Sequence, residues 1–349
     1  MDNPYANREF FHQLLSKAVA AEASDVHLKV GKPPAVRVGG EMVYFKVDKL
    51  LPEDTEALAK QILGRKATPE FMDDLLEYDA SYAVPGLGRF RVNLYRQRGT
   101  YAVVMRSIPV MIPTIEDLGM PHSIEDLAEK ERGLVLVVGA AGNGKSTTLA
   151  AMVNHINLTK SRHIVTIEDP IEFIHRDQMS MVSQREVGID TESFAKALRA
   201  ALRQDPDVIL VGEIRDTETM EIAVQAAETG HLVLSTMHTP DVSRSVNRII
   251  SLAENPLELR DRIGDCMQGV VAQRLVPQVE GGLALAQEIL VCTGTVREAI
   301  KRPENNPPLK ELMEKGVTPY GMQTFQMSIR ALVKEGIVDR EVAHIYLAT

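Results

Sequence analysis

Residues Gly139 to Ser146 read Gly-Ala-Ala-Gly-Asn-Gly-Lys-Ser, a G-x-x-x-x-G-K-S phosphate loop set directly behind the apolar run Leu134-Val135-Leu136-Val137-Val138. A buried strand, a glycine-rich turn of this spacing and a helix-forming stretch from Thr147 to Ile156 constrain the fold to a strand–loop–helix unit. Only that arrangement brings the free backbone N–H groups of a helix N-terminus to one point, where they wrap a polyphosphate. The candidate binding segment for ATP is therefore Gly139, Ala140, Ala141, Gly142, Asn143, Gly144, Lys145, Ser146 and Thr147. Lys145 is placed to reach the β- and γ-phosphates, and the Ser146 hydroxyl to hold Mg²⁺.

Behind the loop the pattern of apolar strand, polar residue and helix repeats. Ile164 to Ile167 runs into Glu168-Asp169, Val208 to Val211 into Gly212-Glu213, and Leu232 to Ser235 into Thr236-Met237-His238. Short, wholly apolar strands separated by helices predict a buried parallel sheet whose ligands lie outside the strands' carboxyl edge. From Asp241 onward helical spacing dominates, and helices are expected over 242–252, 257–275 and 322–335.

The N-terminal part reads differently. Helical spacing over 8–22 is followed by alternating strand-like runs, with Gly39-Gly40 as a hairpin, short helices over 52–63 and 69–76, and further strands over 79–84, 90–96 and 101–108. This is an α+β module over 1–108. Pro109, Pro113, Gly119 and Pro121 then crowd a linker at 109–121, before an α/β domain over 122–349. The chain's 349 residues suffice for two cores. A polar start and the lack of a long apolar run predict neither a secretory signal nor a membrane span, hence a cytoplasmic location. Cys266 and Cys292 lack metal-site spacing and are expected to be buried thiols. A net charge of −9 weighs against a nucleic-acid face.

Phosphoryl transfer to water needs a bridged phosphate, an activated water and positive charge facing the transition state. Glu213, at the end of a hydrophobic strand as in a Walker B element, is the candidate for polarising water or supporting Mg²⁺, with Glu168 and Glu172 the next carboxylates. His231 and His238 bracket a buried strand, where histidines are more often cap or core residues. Arg89, Arg91, Arg96, Arg98 and Arg106 form a dense basic set in the N-terminal module, equally readable as a solvated face. Alternation on a strand predicts a shared face for Arg89 and Arg91, and another for Arg96 and Arg98.

With these residues in hand, the chain resembles the PilT/PilU branch of the secretion-type ATPases that power type IV pili. The resemblance rests on Ser24-Asp25-Val26-His27-Leu28, Gly88-Arg89-Phe90-Arg91-Val92-Asn93, the phosphate loop and Thr166-Ile167-Glu168-Asp169-Pro170-Ile171-Glu172, which looks like the family's Asp box. It continues through Gln184-Arg185-Glu186-Val187-Gly188, Gly212-Glu213-Ile214-Arg215-Asp216, the His-box region from Thr229 to His238, and Gly321-Met322-Gln323-Thr324-Phe325. It implies an N-terminal PAS-like domain, a RecA-like P-loop ATPase core with a helical C-terminal region, and a homohexamer with ATP between subunits. It implies Glu213 as general base, Glu168 as a nucleotide-site residue that holds Mg²⁺ with Ser146, and catalytic-site places for His231 and His238. Arg91, Arg98 and Arg106 are the candidates for a phosphate contact made from a neighbouring subunit. The partners implied are a pilus platform membrane protein and a paralogous retraction ATPase, and the place is the inner face of the cytoplasmic membrane.

Departures from the family pattern keep alternatives open. The stretch Thr295-Val296-Arg297-Glu298-Ala299-Ile300-Lys301 differs from the usual retraction motif, Asn143 replaces a more usual Ser or Thr, and residues 187–194 look closer to PilU, an accessory ATPase. An extension or type II secretion ATPase is the other reading within the class, although the tetracysteine insertion of those relatives is missing. A regulatory ring subunit with little turnover of its own and a DNA-translocating ring are the readings from outside it.

Overall fold

The structure, a computed structural model, describes residues 3–108 and 111–347, and its contacts divide the chain into two compact units, 1–110 and 111–349. In the first, Asn7 accepts hydrogen bonds from the N–H groups of Glu9 and Phe10 and so starts α1 (Arg8–Ala20), whose Phe11, Leu14, Leu15 and Ala18 form one buried stripe. Then follow β1 (Asp25–Lys29), β2 (Ala35–Val38), β3 (Glu41–Tyr44), α2 (Pro52–Leu63), α3 (Pro69–Asp74), β4 (Glu77–Val84), β5 (Gly88–Gln97) and β6 (Thr100–Ile108). The strands form one antiparallel sheet in the order β3-β2-β1-β6-β5-β4. Gly39 and Gly40 both take positive φ (57° and 87°), the conformation a two-residue hairpin requires. On β5, Phe90, Val92 and Leu94 point into the core while Arg91 and Asn93 face solvent.

The second unit runs α4 (Ser123–Ala128), β7 (Gly133–Val138), α5 (Lys145–Thr159), β8 (His163–Glu168), β9 (Met181–Glu186), α6 (Phe194–Ala201), β10 (Val208–Val211), α7 (Thr217–Glu228), β11 (Leu232–Met237), α8 (Val242–Ser251), α9 (Pro256–Cys266), β12 (Met267–Pro277) and β13 (Leu283–Val291). A helical end completes it: α10 (Gly294–Lys301), α11 (Leu309–Lys315), α12 (Val317–Tyr320), α13 (Phe325–Lys334) and α14 (Arg340–Leu347). Its seven strands order as β13-β12-β7-β11-β10-β8-β9, parallel except for β13. Every residue of β7 is buried, Leu134, Leu136 and Val138 in one helical layer and Val135 and Val137 in the other. The mixed α/β class, with a RecA-like core behind an N-terminal domain, is as expected.

Two departures from the expected elements are instructive. The helix expected over 257–275 ends at Cys266, and Met267–Pro277 is a strand pairing with both β7 and β13, a further strand that the helical spacing does not announce. A short apolar run such as Gly269-Val270-Val271-Ala272 carries no period that separates a doubly buried strand from a helix; here the open edge of β7 decides. Of the linker expected at 109–121, residues 109 and 110 lie outside the described residues. Ile115 and Met120 are buried in the second unit's core.

Candidate functional site

The phosphate loop leaves β7 at Gly139 and enters α5 through Gly144, which takes a left-handed conformation (φ 77°) and adds no capping side chain. The first amides of α5 therefore stay open to a ligand. Gly139 passes so near β12 that a Cβ there would lie 2.6 Å from the Gln273 carbonyl oxygen, which excludes every other residue type. Asn143, the departure in the loop, braces it. The Asn143 Oδ1 accepts from the Leu275 N–H at 3.1 Å and ties the loop to β12. Gln273 extends that tie by donating to Thr148 Oγ1 on α5 at 2.6 Å.

Lys145 is buried, and its Nζ donates to the carbonyl oxygens of Gly139 and Ala140, each at 3.0 Å. Burial lowers its pKa from the ordinary lysine value, and the charges of Glu213 and Glu172 oppose that shift. Ser146, the next residue of α5, is exposed at the same cleft.

Glu213 follows β10 and is positioned from β11. Ser235 Oγ and Thr236 Oγ1 donate to the carbonyl oxygens of Val211 and Gly212, each at 2.7 Å, and the Ile214 N–H bonds the Thr236 carbonyl oxygen at 3.1 Å. Its carboxylate faces two partners at one oxygen. Arg215 Nη2 lies 2.7 Å from Glu213 Oε2, and His238 Nε2 lies 3.3 Å from the same atom. The other ring nitrogen of His238 faces Lys145 Nζ at 3.4 Å. An ammonium has only donors, so Nδ1 accepts and Nε2 carries the proton that meets Glu213.

Glu168, at the end of β8, accepts from Thr166 Oγ1 at 2.7 Å and from Gln184 Nε2 at 3.1 Å. Burial raises its pKa above the usual carboxylate value, against those two hydrogen bonds and one from the Glu172 backbone. Gln184, on β9, also donates to the Phe173 carbonyl oxygen and accepts from the His175 N–H, so one amide organises the whole Asp-box turn. His175 is buried beside the cleft with Nδ1 unpartnered, and burial pushes its pKa down to about 4.

The parallel sheet thus gathers Lys145, Ser146, Glu168, Glu213 and His238 on one cleft, together with Arg215. His231 is a correction: it precedes β11, at the strands' amino edge, where its Nδ1 meets the Ala226 carbonyl oxygen at 2.9 Å. The length of β11 puts it about 20 Å from His238. The spacing marks both histidines alike; the direction of the strand separates them.

The arginines of the first unit also divide. Across its sheet Arg37 pairs with Asp25, Asp25 with Arg106, and Arg106 with Arg91, a row on one face with three cations and one carboxylate. Arg106 Nε lies 3.0 Å from Asp25 Oδ1. Arg98 does not share a strand face with Arg96: it sits past the end of β5 in the turn to β6, with φ 50°. Six residues of strand, from Arg91 to Gln97, put it about 20 Å or more from Arg91, too far for both to meet one phosphate. Arg96 stacks on Tyr101 and donates to the Met72 carbonyl oxygen. Sequence reasoning missed Arg215, Gln184, Thr236 and His175 as site residues; the first three lie in the quoted motifs or beside them, where nothing in the spacing gives them a role.

Comparison with known proteins places this geometry. The profile of the family described as Type II/IV secretion system protein matches residues 5–288. The chain is 41% identical over 333 residues to the Pseudomonas aeruginosa protein called type IV pilus retraction ATPase PilT, covering 95% of this chain and 96% of that one. It is 39% identical over 338 residues to the type IV pilus ATPase PilU of the same organism, covering 95% and 87%. A crystal structure of the pilus retraction motor PilT with bound ADP superposes with a TM-score of 0.85 at 42% identity, covering 95% of each chain.

Proposed function

Because the chain belongs to the Type II/IV secretion system protein family, we propose that it is an ATP-hydrolysing motor that powers retraction of a type IV pilus. The observation that carries the reading is the meeting of Lys145, Ser146, Glu168 and Glu213 on one cleft, in a chain that matches a retraction ATPase over nearly its whole length. Lys145 exchanges its two carbonyl partners for phosphate oxygens, Glu213 takes the proton of the attacking water, and His238 orients that carboxylate.

The donor set fits Mg²⁺. Four carboxylates, Glu168, Asp169, Glu172 and Glu213, line the cleft beside the Ser146 hydroxyl. Among the described residues no group of three acidic, histidine or cysteine side chains could hold a metal by itself. That combination suits an ion bound through one or two protein oxygens and completed by phosphate and water. Ser146 and Glu168 would hold the Mg²⁺, which would supply charge neutralisation to the triphosphate.

The motor acts as a homohexamer at the cytoplasmic face of the membrane, against a platform protein of the pilus machine. No helix among the described residues is long and apolar enough to cross a membrane, in keeping with a peripheral place. In the ring, Arg91 and Arg106 of one subunit face the γ-phosphate of its neighbour. An accessory role beside a paralogous motor is the second reading, favoured by the similarity to PilU and by residues 187–194. Turnover by the purified protein alone separates the two.

Lys145→Ala and Glu213→Gln test the roles. The first is expected to weaken ATP binding. The second is expected to bind ATP no more weakly than wild type while hydrolysis slows about 10²-fold or more, the scale of a lost general base. Equal loss of ATP affinity in both variants contradicts the assignment. In cells, deletion is expected to leave pili persistently extended, whereas absent pili would indicate assembly.

A further inference from the structure

The carboxylates at the ends of β8 and β10 are held in different ways. Glu213 meets a guanidinium and an imidazole, whereas the side chains that hold Glu168 are a hydroxyl and an amide. Thr166 Oγ1 at 2.7 Å and Gln184 Nε2 at 3.1 Å both donate to Oε1, and no side chain among the described residues donates to Oε2. The sheet prepares this meeting. Thr166 lies two residues before Glu168 on β8, hence on the same face, and the strand register sets Gln184 of β9 directly beside Thr166. Along β9, Val182, Gln184 and Glu186 share one face. Val182 packs against the apolar core around Val135 and Val137, while the two polar residues hold the segment that follows Glu168. Glu186 Oε2 accepts from the Ile171 N–H at 3.3 Å. The Gln184 amide uses both of its ends: Nε2 also donates to the Phe173 carbonyl oxygen at 2.9 Å, and Oε1 accepts from the His175 N–H at 2.8 Å. Reversed, it would set its oxygen against two acceptors, so its orientation is fixed.

We propose that Gln184 is a positioning residue for the divalent cation of the reaction, acting through Glu168 and setting the affinity of the cleft for the metal. The inference rests on the reading of Glu168 as a metal-holding carboxylate and deepens it. A glutamate side chain that must settle into one rotamer when the ion arrives gives up conformational freedom at that moment. Donors already fixed on the sheet settle it beforehand, which is how outer hydrogen-bond partners raise the affinity of a metal ligand. The type of donor matters as much as its place. A lysine or arginine on Oε1 would orient the carboxylate but also offset the charge that attracts the ion. A hydroxyl and an amide orient it and leave that charge in place. Gln184 does not line the cleft itself, so its effect on a bound nucleotide passes through Glu168 and the turn it braces.

The test uses the full chain with Mn²⁺ as the probe, titrated into the ADP-bound protein and followed by electron paramagnetic resonance, beside ADP binding measured in a chelator. Gln184→Met, which keeps the volume without the amide, is expected to weaken Mn²⁺ roughly 10- to 100-fold while metal-free ADP affinity stays within about twofold. The Mg²⁺ concentration for half-maximal turnover rises in step. Thr166→Val, which removes the other donor to the same oxygen at nearly constant volume, shifts Mn²⁺ affinity in the same direction, and Thr166→Ser restores it. In a Glu168→Ala background, Gln184→Met adds no further loss, as expected of a residue that acts through another. Unchanged Mn²⁺ affinity in Gln184→Met overturns the proposal, and so does an equal loss of metal-free ADP binding, which would mark a collapsed turn instead of a misplaced ligand. Wild-type Mn²⁺ affinity in Glu168→Ala removes Glu168 from the metal site; a Gln184→Met loss that persists in that background overturns only the route through Glu168. Lack of turnover by wild type would count against the ATPase reading, and the binding measurements would still judge Gln184.

Discussion

At the scale of single residues, environment assigns different roles to chemically similar groups. His175 and His238 both line the cleft, yet His238 is 46% exposed at its side chain and bonded at both nitrogens, whereas His175 is buried with one nitrogen unmatched. Desolvation holds His175 neutral, its pKa lowered from 6.5 to about 4. The unfolded chain then binds a proton that the native state refuses between those values. Stability should therefore be at full strength above about pH 6.5, fall as pH drops from there, and lose no more below about pH 4. From pH 8 to pH 5 the expected loss from this group is about 2 kcal/mol. Chemical denaturation of wild type and His175→Met at both pH values isolates it, since the variant keeps the apolar volume without the titration. Matching pH dependence in the two proteins would contradict a buried neutral imidazole. Cys266 and Cys292 follow the same physics, with burial pushing each thiol up to about 12.

At the scale of elements, β12 is the hidden brace of the site. It approaches the phosphate loop at Gly139, receives the Asn143 side chain at Leu275 and reaches α5 through Gln273. Its own placement depends on Gly269, where a Cβ would meet Leu127 Cδ2 at 2.6 Å and the Leu290 carbonyl oxygen at 2.8 Å. The backbone oxygen cannot step aside, so Gly269→Ala must push β12 away from β13 or from α4. Overpacking of this kind costs about 1–3 kcal/mol, which in a unit of this size lowers the melting temperature by roughly 2–12 °C. Gly294→Ala is the control, since nothing lies within 4 Å of a Cβ there. Calorimetry that showed the two variants equally stable would mean that β12 adapts freely. Removing only the tether, by Asn143→Ala, is expected to lower stability by about 1 kcal/mol, the net worth of a hydrogen bond.

At the scale of the whole molecule, two units carry separate cores, one around Phe11, Phe90 and Met105 and one on both faces of the parallel sheet. The first presents the row of Arg37, Asp25, Arg106 and Arg91, in which one carboxylate faces three cations and leaves spare positive charge. If that charge serves a neighbour's phosphate, an Arg91→Ala variant and a Glu213→Gln variant, each inactive alone, should recover partial turnover when their subunits are exchanged in mixed rings. Some interfaces then join an intact cleft to an intact arginine donor, and transferred arginines of this kind are worth about 10³-fold or more in turnover. Mixed rings as inactive as either parent, with exchange verified by differential labelling, would remove the arginine row from the mechanism. Arg98→Ala, in the distant turn, is expected to retain turnover near wild type.

The parts legible in the sequence were those set by neighbours along the chain. A glycine-rich turn between an apolar run and a helix has few other conformations open to it, so the loop from Gly139 to Ser146 and the carboxylates ending β8 and β10 could be placed on one edge before any contact was known. The strand β12 could not, because Gly-Val-Val-Ala is strand or helix according to whether an edge of β7 stands open beside it. Nor could the pairing of Arg215 with Glu213: two residues apart, their ends meet only because β11 pins the backbone between them. His231 and His238 show the division most simply. Both bracket one strand, and the parallel direction of that strand, imposed by pairing with β7 and β10, sends one to the phosphate edge and leaves the other at the far end.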